Sequence, residues 1–294
     1  MKYLITGNKG QLGYDLAREL DKRGIHDYLA IDKDEMDITN REEVLKVVSE
    51  YNPDVIIHCA AWTAVDKAET NEELTRLVNV VGTRNMSEAS MLVDAKLIYM
   101  STDYVFDGTK EGYYTEEDQP RPMSVYGYTK YLGEEAVRNN PKHFITRISW
   151  VFGINGNNFI KTMLKLSDNH DELTVVDDQV GSPTYTVDLS KLLVEMAHTD
   201  KYGTYNVNNE GFCSWAEFAK YIMESNNKKT IIKPVSTEKY YEGKDMSNIA
   251  YRPRNSKLDK TKLQEAGFEL LPTWQSATDR YCKELEQAKI LKRK

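Results

Sequence analysis

Short apolar runs alternate with amphipathic stretches through the first half of the chain. Residues 2–6, 27–31, Val55–His58, 97–100 and 144–148 are apolar runs of strand length, and the segments between them are long enough for helices. In one such segment, Arg41–Tyr51, the side chains of Val44, Leu45 and Val48 share a helical stripe, which Asn52 and Pro53 then end. Strands and helices in this rhythm predict βαβ units, and so a parallel sheet covered by helices on both faces. Beyond Trp150 the rhythm fails. Loops rich in Asn, Asp, Gly and Pro become frequent, with Phe159, Tyr185, Trp215, Tyr240, Tyr251 and Trp274 interspersed. An apolar and polar alternation over 204–208 still reads as a strand returning to the first sheet. The pattern therefore predicts an α/β fold with one domain over 1–150, rejoined by a segment near 184–208, and a smaller interleaved lobe over 151–294.

The turn after the first strand holds Gly7, Gly10 and Gly13 in the spacing G-x-x-G-x-x-G, and a helical pattern begins near Tyr14. Glycines at these places permit a tight bend and close approach of a ligand to the backbone. Free amides and the positive end of the helix can then receive a pyrophosphate. The second strand ends at Asp32, roughly twenty residues on, where a carboxylate can accept from the ribose hydroxyls of an adenosine. An acid there leans towards NADH, whereas the adjacent Lys33 suits a ribose phosphate. By itself the triplet reads equally as a plain strand, turn and helix; the strand before it and the acid after it favour a Rossmann-type, doubly wound sheet.

The formal net charge of −7 argues against a nucleic-acid or anionic-membrane partner, which would demand a basic face. An anionic ligand must find its donors locally, as at the glycine turn. No apolar run reaches the ~18 residues of a membrane span, and Met1 leads straight into a strand pattern with no secretory leader. Cys59, Cys213 and Cys282 lie far apart in no metal or redox spacing, and the five histidines are equally scattered. Reduced thiols, a cytoplasmic location and no metal cluster are the expectation.

Tyr126 and Lys130 form Y-x-x-x-K at the head of a helical stretch reaching Val137. Four-residue spacing puts both on one helix face. An ammonium there stabilises the phenolate and lowers a phenol from its free value near ~10, so Tyr126 becomes a general acid for a carbonyl that is being reduced. With Tyr present 19 times, the pair alone reads first as a surface contact. Its company decides otherwise: Ser101, Thr102 and Asp103 stand at the end of the fourth strand, where open α/β sheets place ligands. Thr102 is the natural carbonyl-orienting hydroxyl, with strand-end capping as its other reading.

Together these residues resemble the extended short-chain dehydrogenase/reductases, and within them the dTDP-4-dehydrorhamnose reductase family. The likeness runs over almost the whole chain. It includes the Gly7 to Gly13 turn, the stretches 59–69 and 79–85, Ser101 to Gly108, Tyr126 with Lys130, Trp150 to Gly153, the loop 178–185 and the motif 252–258. The resemblance implies NADPH or NADH as cofactor and a nucleotide-linked keto sugar as substrate. The C4 keto group of dTDP-4-dehydro-L-rhamnose would be reduced to dTDP-L-rhamnose for cell-surface polysaccharide. It implies Thr102, Tyr126 and Lys130 as the catalytic set, with Gly7, Gly10, Gln11, Leu12 and Gly13 at the pyrophosphate and Asp32 at the adenosine ribose. Asp37 and Ile38 would lie by the adenine, and Ala60, Ala61, Trp62 and Thr63 on the nicotinamide side, with Lys130 also at the nicotinamide ribose. Asp103, Tyr104, Trp150, Gln179 and Arg252 would meet the substrate. Trp62 departs from the smaller or imidazole-bearing residue usual in the family. Trp150 also reads as a core aromatic, Arg252 as an ion-pair partner, and His58 as an interior histidine. A homodimer and a divalent ion such as Mg2+ belong to the family picture, but no carboxylates here match such a metal site. Two other readings stay open: a different nucleotide-sugar reductase or epimerase, and a regulatory subunit that binds nicotinamide dinucleotide without turnover. A dehydratase is disfavoured because Thr102 is followed by Asp103 and Tyr104 rather than by two acids.

Overall fold

Six strands, β1 (Tyr3–Thr6), β2 (Tyr28–Ile31), β3 (Val55–His58), β4 (Lys96–Thr102), β5 (His143–Ile148) and β6 (Gly203–Asn206), form one parallel sheet. Their order is β6-β5-β4-β3-β1-β2. The structure, a computed structural model, describes residues 1–288 and 290; of the lobe expected over 151–294, residues 289 and 291–294 lie outside the described residues.

Side-chain alternation along the strands feeds two cores. Tyr3, Ile5, Val55, Ile57, Ile98 and Phe144 pack with Leu12, Leu16 and Leu20 of α1 (Gln11–Lys22). Leu4, Ile56, Leu97, Tyr99 and Ile145 face the other way, against Val44 and Val48 of α2 (Arg41–Tyr51) and Met86 and Ala89 of α3 (Thr83–Leu92). Each fully buried Leu, Ile or Val contributes roughly 1.5–3 kcal/mol. Because both faces are covered, the strands read as continuous apolar runs.

The chain climbs to β2 on one side of β1 and to β3 on the other, so the sheet's topological switch lies between β1 and β3. Ligands of such sheets bind at the carboxyl ends of the strands beside that switch. α4 (Val125–Val137), capped by Ser124 Oγ accepting from the Gly127 amide at 3.1 Å, runs along that region.

In the second lobe α5 (Phe159–Ser167), α7 (Trp215–Ser225) and α8 (Trp274–Gln287) gather around Phe152, Ile160, Phe218, Ile222, Trp274 and Tyr281. Between α5 and α7 the chain goes back to the first layer. Leu189, Leu192 and Leu193 of α6 (Thr186–Ala197) join the α1 core, and β6 pairs with β5. Among the described residues no helix is long and apolar enough to cross a membrane.

Most strand ends shift by a residue or two from the sequence expectation, the returning strand being Gly203–Asn206 rather than 204–208, and two shifts bear on the site. α1 begins at Gln11 rather than near Tyr14, because Gly10 is the extended N-cap and Leu12 already belongs to the buried stripe. β4 continues past Met100 to Thr102, since polar Ser101 and Thr102 are buried by pairing with Arg147 and Ile148 of β5.

His58 is an interior histidine. Its Nδ1 lies 2.7 Å from Thr6 Oγ1 and its Nε2 3.2 Å from Thr83 Oγ1. Burial, with the Lys130 charge nearby, pulls it down to about 3. The fold thus favours neutral imidazole. That stabilisation is complete above the free value of ~6.5 and is lost as pH falls towards 3, at about 1.4 kcal/mol per unit. Between pH 6.5 and 5 the loss should be about 2 kcal/mol. Denaturant unfolding of His58→Gln should show a correspondingly shallower decline over that interval; parallel slopes would acquit His58.

Candidate active site

A cavity of about 860 Å³ opens at the carboxyl ends of β1, β3 and β4. One wall is the glycine turn. Gly7 adopts a left-handed φ of 73°, and a Cβ on Gly13 would stand 2.3 Å from the Gly7 carbonyl oxygen, so the first turn of α1 lies directly on the bend. The side chain of Gln11 is already committed, accepting from the Gly153 amide at 2.9 Å and from Asn158 Nδ2 at 3.0 Å. What Gln11 and Leu12 can offer an anion is their backbone at the helix start.

Farther along, Asp32 Oδ2 accepts from the Lys9 amide at 3.1 Å and Oδ1 from the Lys33 amide at 2.8 Å. The acid therefore braces the glycine turn as well as marking the strand end. Asp37, held below the usual carboxylate range by the Thr39 amide and hydroxyl against the cost of burial, lines the cavity next to Ile38. Ala60, Ala61, Trp62 and Thr63 form the floor. Asn79, in the π-helical turn Leu77–Gly82, clamps this floor: its Oδ1 accepts from the Trp62 amide at 2.8 Å, and its Nδ2 donates to the Trp62 carbonyl at 3.2 Å.

Tyr126 and Lys130 reach the cavity from α4, and Thr102, Asp103 and Tyr104 from the end of β4. A Cβ on Gly127 would stand 2.2 Å from the Tyr104 carbonyl, so the helix start can lie against the strand end only with glycine there. Thr102 lines the cavity with Tyr126, accepts from the Tyr104 amide at 3.2 Å and donates to Asp103 Oδ1 at 3.0 Å.

The protonation of the pair differs from the simple expectation. Burial pushes the Tyr126 phenol up to about 12, the nearby Thr102 hydroxyl opposing and the Asp103 charge assisting. Burial likewise pulls the Lys130 ammonium down to about 7, against Glu134 and Cys59. The ammonium sits 4.1 Å from the Tyr99 ring centroid. An ammonium does not bring the phenol below its free value here, because desolvation outweighs the neighbours of both groups. A phenol that high keeps its proton at neutral pH, as a general acid must. One turn on from Lys130, buried Glu134 is gripped by Arg147 Nε and Nη2 at 2.9 and 2.8 Å and by Ser101 Oγ at 2.5 Å.

Trp150, with a left-handed φ of 49°, projects into the cavity stacked on Trp215 at 3.6 Å between ring centroids. Trp215 escapes sequence reading: it sits in the second lobe, and only packing brings it to the wall. Two expected substrate residues do not line the cavity. Gln179 Nε2 donates to Thr237 Oγ1 at 3.0 Å within the second lobe. Arg252 pairs with Asp66 at 2.8 Å and donates to the Ala250 carbonyl at 3.0 Å, so a nearer acid has taken its charge. Among the described residues no group of three or more His, Cys, Asp or Glu could hold a metal ion.

A parallel sheet with a glycine turn at its switch point, facing a half-buried Tyr and a buried Thr and Lys, defines a nicotinamide-dinucleotide oxidoreductase of the extended short-chain dehydrogenase/reductase class. Known proteins narrow this. Residues 1–287 match the family described as RmlD substrate binding domain, and the chain belongs to that family. A dTDP-4-dehydrorhamnose reductase from Aggregatibacter actinomycetemcomitans is 42% identical over 284 residues, 94% of this chain and 96% of that one. The spore coat polysaccharide biosynthesis protein SpsK of Bacillus subtilis is 39% identical, over 98% of this chain and 99% of that one. The crystal structure of dTDP-4-dehydrorhamnose reductase from Bacillus anthracis in complex with NADP has a TM-score of 0.91 and 45% identity, covering 97% of this chain and 100% of that one.

Asp32 offers a direct check on cofactor choice. Replacing Asp32 with Ala removes the acceptor for ribose hydroxyls and the repulsion of a ribose phosphate. The ratio of KM for NADH to KM for NADPH should rise about tenfold, the value of one hydrogen bond to a charged group. An unchanged ratio in steady-state assays would place the adenosine ribose elsewhere.

Proposed function

We propose that this chain catalyses the NADPH- or NADH-dependent reduction of the C4 keto group of dTDP-4-dehydro-L-rhamnose to dTDP-L-rhamnose, a cytoplasmic step towards cell-surface polysaccharide. The observation that carries this reading is a single cavity holding the glycine turn at one end and Thr102, Tyr126 and Lys130 at the other. The close approach at Gly7 and Gly13 fits a dinucleotide pyrophosphate, and when bound the reduced nicotinamide supplies the hydride to the carbonyl carbon.

The protein's own residues handle the proton. Tyr126, its phenol pushed up to about 12 by desolvation, gives its proton to the carbonyl oxygen as negative charge develops there. Thr102, fixed by Asp103 and the Tyr104 amide on the same cavity wall, packs the substrate carbonyl against that phenol. Lys130 holds the ribose hydroxyls and balances the charge left on the phenolate. Asp103 and Tyr104 face the sugar across from Trp150, whose indole plane, backed by Trp215, gives the ring an apolar wall.

Incubation with NADPH or NADH and dTDP-4-dehydro-L-rhamnose should consume nicotinamide absorbance in step with the appearance of dTDP-L-rhamnose. Turnover confined to a different keto-sugar nucleotide would redirect the assignment within the class. Tight cofactor binding with no sugar consumed would instead identify a regulatory subunit.

A further inference from the structure

Residues 252–258 cross from the second lobe to the end of β4, and they are stitched to both. Val180 donates its amide to the Arg254 carbonyl at 2.8 Å, and Ser256 returns its own to the Val180 carbonyl at 2.7 Å. On the other side the Asn255 amide donates to the Gly108 carbonyl at 3.2 Å and the Tyr114 amide to the Lys257 carbonyl at 2.8 Å. At the centre of this strap Ser256, only 3% exposed, donates its hydroxyl to Asp103 Oδ2 at 2.6 Å. The other carboxylate oxygen holds Thr102 Oγ1.

We propose that Ser256 is a positioning residue for the reduction, acting through Asp103 to hold Thr102 in place beside Tyr126; this assignment rests on the function read above. A threonine hydroxyl has one proton to give. With that proton on Asp103 Oδ1, a Thr102 lone pair is turned to the Tyr104 amide, and the Thr102 oxygen is fixed on the cavity wall that also carries Tyr126. The arrangement requires an ionised Asp103, since only a carboxylate accepts on both oxygens at once. Protonation converts one oxygen to a donor and releases Thr102 or Ser256. The Ser256 bond favours the ionised form. It opposes the burial that pushes Asp103 up to about 6, together with the bond from Thr102. The titratable groups around Asp103 are Tyr104 on its own turn and Tyr126 on α4, with Lys130 on the same cavity wall; Arg252 on the strap acts on Tyr104.

Removing the hydroxyl makes Asp103 harder to ionise, so the acid side of the pH profile must move to higher pH. For Ser256→Ala, kcat at neutral pH should fall about tenfold and the acid limb of kcat should rise by about one pH unit, with cofactor affinity unchanged. Ser256→Cys, which fills the same space with a weak donor, should shift the limb in the same direction by less. In an Asp103→Asn background Ser256→Ala should cost little more, because the residue through which it acts has lost its charge. A lowered Tm with an unmoved pH profile in both Ser256 variants, or losses that simply multiply in the Asp103→Asn background, would overturn the proposal and leave Ser256 as a fastener of the strap. A wild-type protein that turns over no keto-sugar nucleotide would defeat the underlying reading and this one with it, an outcome distinct from an active wild type with unshifted variants.

Discussion

Tyr126→Phe should lower turnover by roughly a hundredfold or more while leaving cofactor affinity almost unchanged. Positioned general acids contribute about 10²–10⁴ in rate, and this phenol lines the cavity together with Thr102 and Lys130. The substitution removes one oxygen and keeps the ring, so the edge-on packing of the Tyr104 and Tyr126 rings at 5.5 Å survives. The glycine turn and Asp32 lie on other elements, so the dinucleotide should still bind. Single-turnover rates and fluorescence titration of NADPH would separate the two effects. A variant with undiminished single-turnover rate would remove Tyr126 from proton transfer; one that lost only cofactor affinity would make it a binding residue. Because the phenol is pushed up to about 12, wild-type kcat should show no basic limb from this group below pH ~10.

Glu134→Leu should be the most damaging core substitution near the site, with a loss of about 3–5 kcal/mol. Arg147 is 1% exposed and Glu134 fully buried, and they meet through two parallel hydrogen bonds. Taking away the carboxylate leaves a guanidinium with no counter-charge at 2.8 Å and Ser101 Oγ without its acceptor. Arg138, bonded to the same carboxylate at 3.1 Å, is one-third exposed and can turn to water. Against a typical stability of ~5–15 kcal/mol, such a loss brings the chain close to unfolding at ambient temperature. Pairing Glu134→Leu with Arg147→Met should recover most of it, since an apolar pair of similar volume replaces a buried ion pair at little net cost. Denaturant midpoints would decide. A single-variant loss under about 1 kcal/mol would mean that water reaches the guanidinium after all.

Much of the cofactor end was legible because its logic is local. Gly7, Gly10 and Gly13 act within one bend, and Asp32 ends the next strand. Tyr126 and Lys130 share a helix face at any burial, and all of these line the cavity. The substrate end was less legible. Gln179 and Arg252 carry suitable chemistry, but they are bonded to Thr237 and Asp66 and are not among the residues that line the cavity. Trp215 gave no motif, yet it backs Trp150. Asn79 lay within a recognisable stretch, but its grip on Trp62 depends on a π-helical turn that no periodicity announces.

The order of residues alone thus determined a parallel α/β sheet, the bend that suits a pyrophosphate and the one-face placement of phenol and ammonium. Each of these depends on neighbours within a few positions, where backbone geometry is nearly independent of the rest of the chain. Tertiary structure alone decided the state of those groups: the high phenol, the low ammonium, the Arg147 clasp on Glu134 and the Ser256 hold on Asp103, 153 positions away. Desolvation and buried hydrogen bonds depend on whatever packs around a group, and packing brings together residues that are far apart along the chain.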